Sequence, residues 1–196
     1  MSLVETLVVA ALSLLLLGLV VRLLWPVSRA SARASAKIEL QQSAHRVANS
    51  LARTAAGCNA GGASLLASTG ESPAGVGFQQ IDGLTSSGFQ IWSDEFILYF
   101  WYPDSRLLYH QNWPPEPPDL GFSPIASRPS PLTPAQLRSI ATEPNNTQRL
   151  LAQNVDSLSL RFSATGNLEF HLELSTQYAP NAVERYELNR VLAFRN

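Results

Sequence analysis

Cysteine is nearly absent from this chain. Cys58 is the only one in 196 residues, so no disulfide can close within it. That absence does not assign a compartment, because disulfides favour oxidising environments without being obligatory there. Metal ligands are equally thin: His45, His110, His171 and Cys58 are scattered without the short spacings of a zinc site. Charged residues make up only 15% of the sequence, against a usual share of about 25%. The net charge of −1 gives no field that would draw nucleic acid or another polyanion. G-x-S-x-G, H-E-x-x-H, a glycine-rich phosphate loop and a closely spaced Cys–His pair are all missing, which leaves a hydrolase or nucleotide-binding reading unsupported. No internal repeat is present. The expectation is a non-enzymatic chain with no cofactor, no metal, and nucleic acid not indicated as a partner.

What the sequence does have is one long apolar run, in MSLVETLVVAALSLLLLGLVVRLLWP. No charge interrupts Leu7 to Val21, and Leu23, Leu24 and Trp25 extend the run past Arg22. Residues 7–25, taken as a helix, measure roughly 28 Å, close to the hydrocarbon thickness of a bilayer. Arg22 can extend its stem to the interface beside Trp25. A membrane anchor is predicted. Glu5 stands at the start of the run, where a carboxylate also suits the positive end of a helix dipole.

The order Met1, Ser2, Leu3, Val4, Glu5, followed directly by an apolar helix, resembles the mature N-terminus of type IV pilins and pseudopilins. In that pattern an apolar first residue precedes Ser or Thr, and Glu stands fifth. Pro26 resembles the proline that ends or kinks the family's anchor helix. The resemblance covers roughly residues 1–55 and carries several implications. A basic leader ending in glycine would be cut before Met1 by a prepilin peptidase, and the new amine would be methylated. Glu5 would neutralise the terminal amine of a neighbouring subunit, as a carboxylate within hydrocarbon needs a cation. The implied partners are other minor and major pilins or pseudopilins, an inner-membrane assembly platform and membrane lipid. The implied location is a single pass of the inner membrane with the C-terminal domain in the periplasm, or at a filament tip on the cell surface. The implied fold is α+β, a long N-terminal helix packed on an antiparallel β-sheet domain.

Two features run against that topology. Arg29, Arg33, Lys37, Arg46 and Arg53 all follow the anchor, which by the positive-inside rule alone would keep the following part in the cytoplasm. A removed basic leader would offset them. Ala34-Ser35-Ala36 has the form of a secretory cleavage site. The apolar run is, however, longer than the 7–15 residues of a signal peptide and lacks a basic start.

Beyond Pro26 the composition favours helix again. Leu40, Ala44, Val47, Leu51, Ala55 and Cys58 recur every three or four residues and form one apolar stripe. Cys58 is read as its last core position and His45 as a boundary residue. Gly57 and Gly61-Gly62 stop the helix. The predicted organisation is an anchor over 1–26, an amphipathic continuation over 27–58 and a β-rich domain over 59–196, with the helix spanning about 3–55 and bent or broken near Pro26.

Residues 59–85, rich in Gly, Ser and Ala, read as loop with at most short elements. GFQIWS, EFILYFWY and RLLYHQNW then read as consecutive strands, with Pro103-Asp104-Ser105 as the turn between the last two. The run from Phe96 to Tyr102 is aromatic on both faces, which predicts a helix on one side of the sheet and an outer layer on the other. Trp92, Trp101 and Trp113 fit packing, the alternative being an exposed adhesion platform. From Trp113 to Pro134 there are eight prolines, which excludes a continuous strand or helix and suggests a surface loop, a lid or a polyproline ligand. Thr133 and Pro134 read as N-cap and first residue of a short helix. Asn145-Asn146-Thr147 fits a glycosylation sequon.

Strands return in NVDSLSLRFS, with a slip at Asp156 that predicts a bulge, then in NLEFHLELS after a turn, and finally in YELNRVLAFRN. Leu168, Phe170, Leu172 and Leu174 are predicted inward, leaving Glu169, His171 and Glu173 on the other face. Those three suit a solvated strand face better than a metal or acid–base site. This closing order is similar to that of W-type minor pilins and J-type pseudopilins. The reading that follows is a subunit that primes or caps a type IV pilus or a type II secretion-like pseudopilus. A single-pass envelope protein with a ligand-binding or adhesive domain stands as the alternative, and a tethered hydrolase is the least supported.

Overall fold

The computed structural model describes residues 2–67, 72–114, 129–143 and 148–194. The helix α1 runs Leu3–Ala56 without a break, about 81 Å at 1.5 Å per residue. It is not broken at Pro26, which lies inside it. Its last turn closes on Gly57, as predicted, with the Gly57 amide donating back to Thr54. A 3-10 turn (Ala60–Gly62) leads into β1 (Ala63–Leu66) and β2 (Ala74–Leu84). Then come β3 (Gln90–Tyr102), β4 (Leu107–Trp113), α2 (Pro134–Thr142) and β5 (Arg149–Ala152). The chain closes with β6 (Val155–Phe162), β7 (Leu168–Ala179) and β8 (Ala182–Leu192). The fold is α+β, a long N-terminal helix packed on antiparallel sheet.

The strands form two sheets rather than one: β1-β2-β3-β4-β5 and β6-β7-β8, all neighbours antiparallel. Both share one core beneath α1. Leu40, Ala44, Val47 and Leu51 of the helix are buried with Val76, Phe78 and Tyr99 of the first sheet and with Leu168, Leu172 and Leu174 of the second. The predicted stripe is therefore the docking face, down to a fully buried Cys58. The opposite face of the first sheet carries a second core, where Phe96, Leu98 and Phe100 pack under Leu137 and Ile140 of α2. The two-sided aromatic run of β3 is thereby accounted for.

Sequence reading departs from the structure at several elements. Residues 59–85 are not loop, for they hold β1 and the eleven-residue β2. GFQIWS and EFILYFWY form one strand, β3, because register shifts opposite Gln79–Gly83 absorb the polar Ser93-Asp94-Glu95 interruption. The last strand starts at Ala182, four residues before Tyr186. β5 (Arg149–Ala152) carries no signal of its own in the sequence. The turn after Tyr102, the bulge at Asp156 and the Thr133–Pro134 helix start are all found where predicted. The greater part of the proline-rich segment (115–128) and the Asn145–Thr147 sequon lie outside the described residues.

Candidate functional site: the amino-terminal helix

Ser2 caps α1, and Glu5 completes a capping box. The Glu5 amide donates to Ser2 Oγ (3.3 Å), and the Ser2 amide donates to Glu5 Oε2 (2.8 Å). Thr6 Oγ1 donates to the Ser2 carbonyl (3.2 Å). Within one chain, Glu5 therefore does what a carboxylate at a helix start ordinarily does. Met1, the predicted processing and methylation residue, lies outside the described residues. Pro26 sits twenty-one positions beyond Glu5 on the same helix, so the structure does not bring the two together.

From Leu3 to Val27 every large apolar side chain of α1 is exposed; Leu14 keeps 70% of its surface and Trp25 65%. A bare, charge-poor apolar helix of this length has a composition that can cross a membrane. The burial pattern switches at Ala36, and from there to Ala55 one face is covered by both sheets. Among the described residues, none of the domain covers the first half of the helix.

What fixes the second half is partly polar. Tyr99 Oη lies 2.7 Å from Thr54 Oγ1 and 2.9 Å from Ser50 Oγ, while Thr54 Oγ1 donates to the Ser50 carbonyl. Burial pushes the Tyr99 hydroxyl above its usual pKa, so it remains a neutral donor. Lower on the helix, Arg33 Nε donates to Glu184 Oε2 of β8 at 2.8 Å. Nothing in the sequence marks that ion pair, since Arg33 reads as one of several basic residues and Glu184 as one of several strand acids. Arg106, at positive φ in the β3–β4 turn, ties the sheets together by reaching Asp156 at the β6 bulge and the Ser175 carbonyl of β7.

The remaining candidates do not converge. Glu169, His171 and Glu173 line the outer face of β7, as predicted, but Glu169 pairs with Arg161 at 2.6 Å. The His171 ring lies between Asn189 Oδ1 (2.5 Å) and Glu173 Oε1 (3.0 Å). Hydrogen bonding to Glu173, then to Asn189, raises the His171 pKa, and the same contact to His171, then Ser157, lowers that of Glu173. His110 lies against Tyr99 with its pKa lowered by burial, and His45 tilts against Tyr186 from an exposed position. Burial pushes the Cys58 thiol up to about 12, which makes it a core atom rather than a nucleophile. Among the described residues, no group of three or more His, Cys, Asp and Glu is placed to hold a metal. Trp92 and Trp101 are buried and Trp113 half-buried, so they serve packing and form no platform. Comparison with known families, curated proteins and solved structures returns no match to this chain.

Proposed function

We propose that the chain is a minor pilin or pseudopilin, a structural subunit that joins others through its N-terminal helix to prime or cap a type IV pilus or secretion-type pseudopilus. The observation that carries this reading is the division of α1. Its first half is apolar and uncovered, with Glu5 the only acid before Glu39, and its second half is the core element of a β domain. A helix left bare over some 25 residues needs lipid or other helices around it. The Met-Ser-Leu-Val-Glu start supports the same reading, and with it an inner-membrane anchor, a periplasmic domain, and partner pilins that meet the helix side by side. The grouped polar side chains of β7 are paired, Glu169 with Arg161 and His171 with Glu173, and no catalytic step is proposed.

The test is the intact mass of the chain extracted from membranes of cells that also hold a prepilin peptidase. The expected species begins at Met1 and carries one added methyl group on its amine. A chain that begins at Lys37, after cleavage at Ala36, would overturn the reading.

A further inference from the structure

The face of α1 that docks on the sheets continues toward the anchor as a basic face. At 3.6 residues per turn, Arg22 and Arg29 fall within about 20° of the Leu40 direction, and Lys37 within about 60°. All three are exposed. Glu5 and Glu39 bracket this stretch, and no acid lies between them in the sequence. Arg33, on the same face, is already held by Glu184 of β8, an acid that is itself buried. Arg22 and Arg29 thus project beneath the β domain, on either side of Trp25.

We infer that Arg22 and Arg29, with Lys37 as an outer member, bind anionic phospholipid headgroups on the side of the membrane where the β domain stands. The inference rests on the reading that α1 crosses a bilayer. Distance selects the participants. Arg29 lies roughly 6 Å beyond Trp25 along the helix and Lys37 roughly 18 Å. A headgroup field screened over about 8–10 Å is therefore strong at Arg22 and Arg29 and weak at Lys37. The ion pair of Arg33 holds the domain to the helix directly above, so headgroups below meet unneutralised guanidinium groups. Each can take a phosphodiester oxygen pair in its planar fork. The same contact would keep this basic stretch on an anionic leaflet after translocation.

Trp25 supplies the probe, since it is 65% exposed at the interface while Trp92 and Trp101 are buried in the domain. The full chain is reconstituted in phosphatidylcholine vesicles that contain a minor fraction of brominated phosphatidylglycerol or, in parallel, brominated phosphatidylcholine. A Trp25→Phe chain corrects for the other tryptophans. Anionic lipid is expected to quench roughly two- to fivefold more than its zwitterionic counterpart at equal mole fraction, given the strength of one surface arginine. High salt and Arg22→Gln/Arg29→Gln should erase that excess, and Arg22→Lys/Arg29→Lys should keep most of it. Equal quenching by the two lipids overturns the inference. If quenching is equal and the Gln variants lose self-association instead, the basic face belongs against acids of a second copy. A chain washed from the vesicles at alkaline pH would instead defeat the spanning reading itself.

Discussion

Single residues in this protein are governed by what their neighbours leave open. Cys58 has the composition of a reactive site and the surroundings of a core, with no exposed surface and a thiol pushed up to about 12. Maleimide or disulfide reagents should leave it unlabelled in the native chain and label it fully in denaturant; fast native labelling would mean that the end of α1 opens. His171 and Glu173 show a milder coupling. The folded pKa of His171 lies above its ordinary 6.5, so its share of stability is complete below that pH and is lost as pH rises through the folded value. That of Glu173 lies below 4.5, so its share is present above that pH and is lost as pH falls through the folded value. The pair is thus strongest between roughly pH 4.5 and 6.5, and its exposure keeps the contribution below about 1 kcal/mol. An NMR titration of the His171 ring should give a raised midpoint that falls back toward the ordinary value in Glu173→Gln. An unchanged midpoint would remove Glu173 as the cause.

At the scale of elements, α1 was legible because its signals repeat, whereas β2 was not. A spacing of three or four marked Leu40 to Cys58, and each of those positions is buried. β2 begins Ala74-Gly75-Val76-Gly77, which reads as loop because two of its first four side chains are missing. The sheet needs them missing. Gly75 stands opposite Phe100 and Gly77 opposite Leu98. A Cβ on Gly75 would come within 2.5 Å of Phe100 Cδ1 and 2.7 Å of the Tyr99 carbonyl oxygen. The bulk that closes this part of the sheet is supplied by β3, so half of the pattern is written in another strand. β5 was hidden differently, as four residues are too few to show a period. Gly75→Ala should therefore destabilise the domain by about 1–3 kcal/mol, the usual cost of overpacking. Leu51→Ala, which empties a fully buried site under both sheets, should cost about 2–5 kcal/mol. Urea unfolding of the full chain in detergent micelles, followed by near-UV circular dichroism, checks both. A neutral Gly75→Ala would mean that both the Phe100 ring and the Tyr99 carbonyl can shift without loss.

For the whole molecule, Glu5 is offered two roles, and the capping box gives a way to separate them. Within one chain, Glu5 accepts the Ser2 amide and steadies the first turn of α1. Between chains, the proposed role is to meet the terminal amine of a neighbouring anchor, where the chain offers no other acid before Glu39. Glu5→Gln keeps the first role, since Gln also serves at the third position of a capping box, and abolishes the second. Glu5→Ala abolishes both. Loss of the cap alone costs about 1 kcal/mol, spread over a helix that the β domain also holds at its far end. An amine left without its carboxylate in a setting shielded from water costs roughly 3–5 kcal/mol at each contact. The β domain should fold alike in all three chains, because burial on the helix starts only at Ala36, far along the chain from Glu5. Membrane insertion should hold or improve in both variants, as a charge leaves the edge of the apolar run. Co-purification of partner pilins and filament assembly, at matched expression, should therefore fall equally in Glu5→Gln and Glu5→Ala. The fall is expected to be a weakening rather than a loss, because a subunit at a tip makes fewer such contacts than one repeated along a shaft. If Glu5→Gln assembles as well as wild type while Glu5→Ala does not, the carboxylate is a helix cap and nothing more. If all three assemble alike, Glu5 leaves the mechanism, and association must be sought in the packing of the bare apolar surface from Leu7 to Trp25.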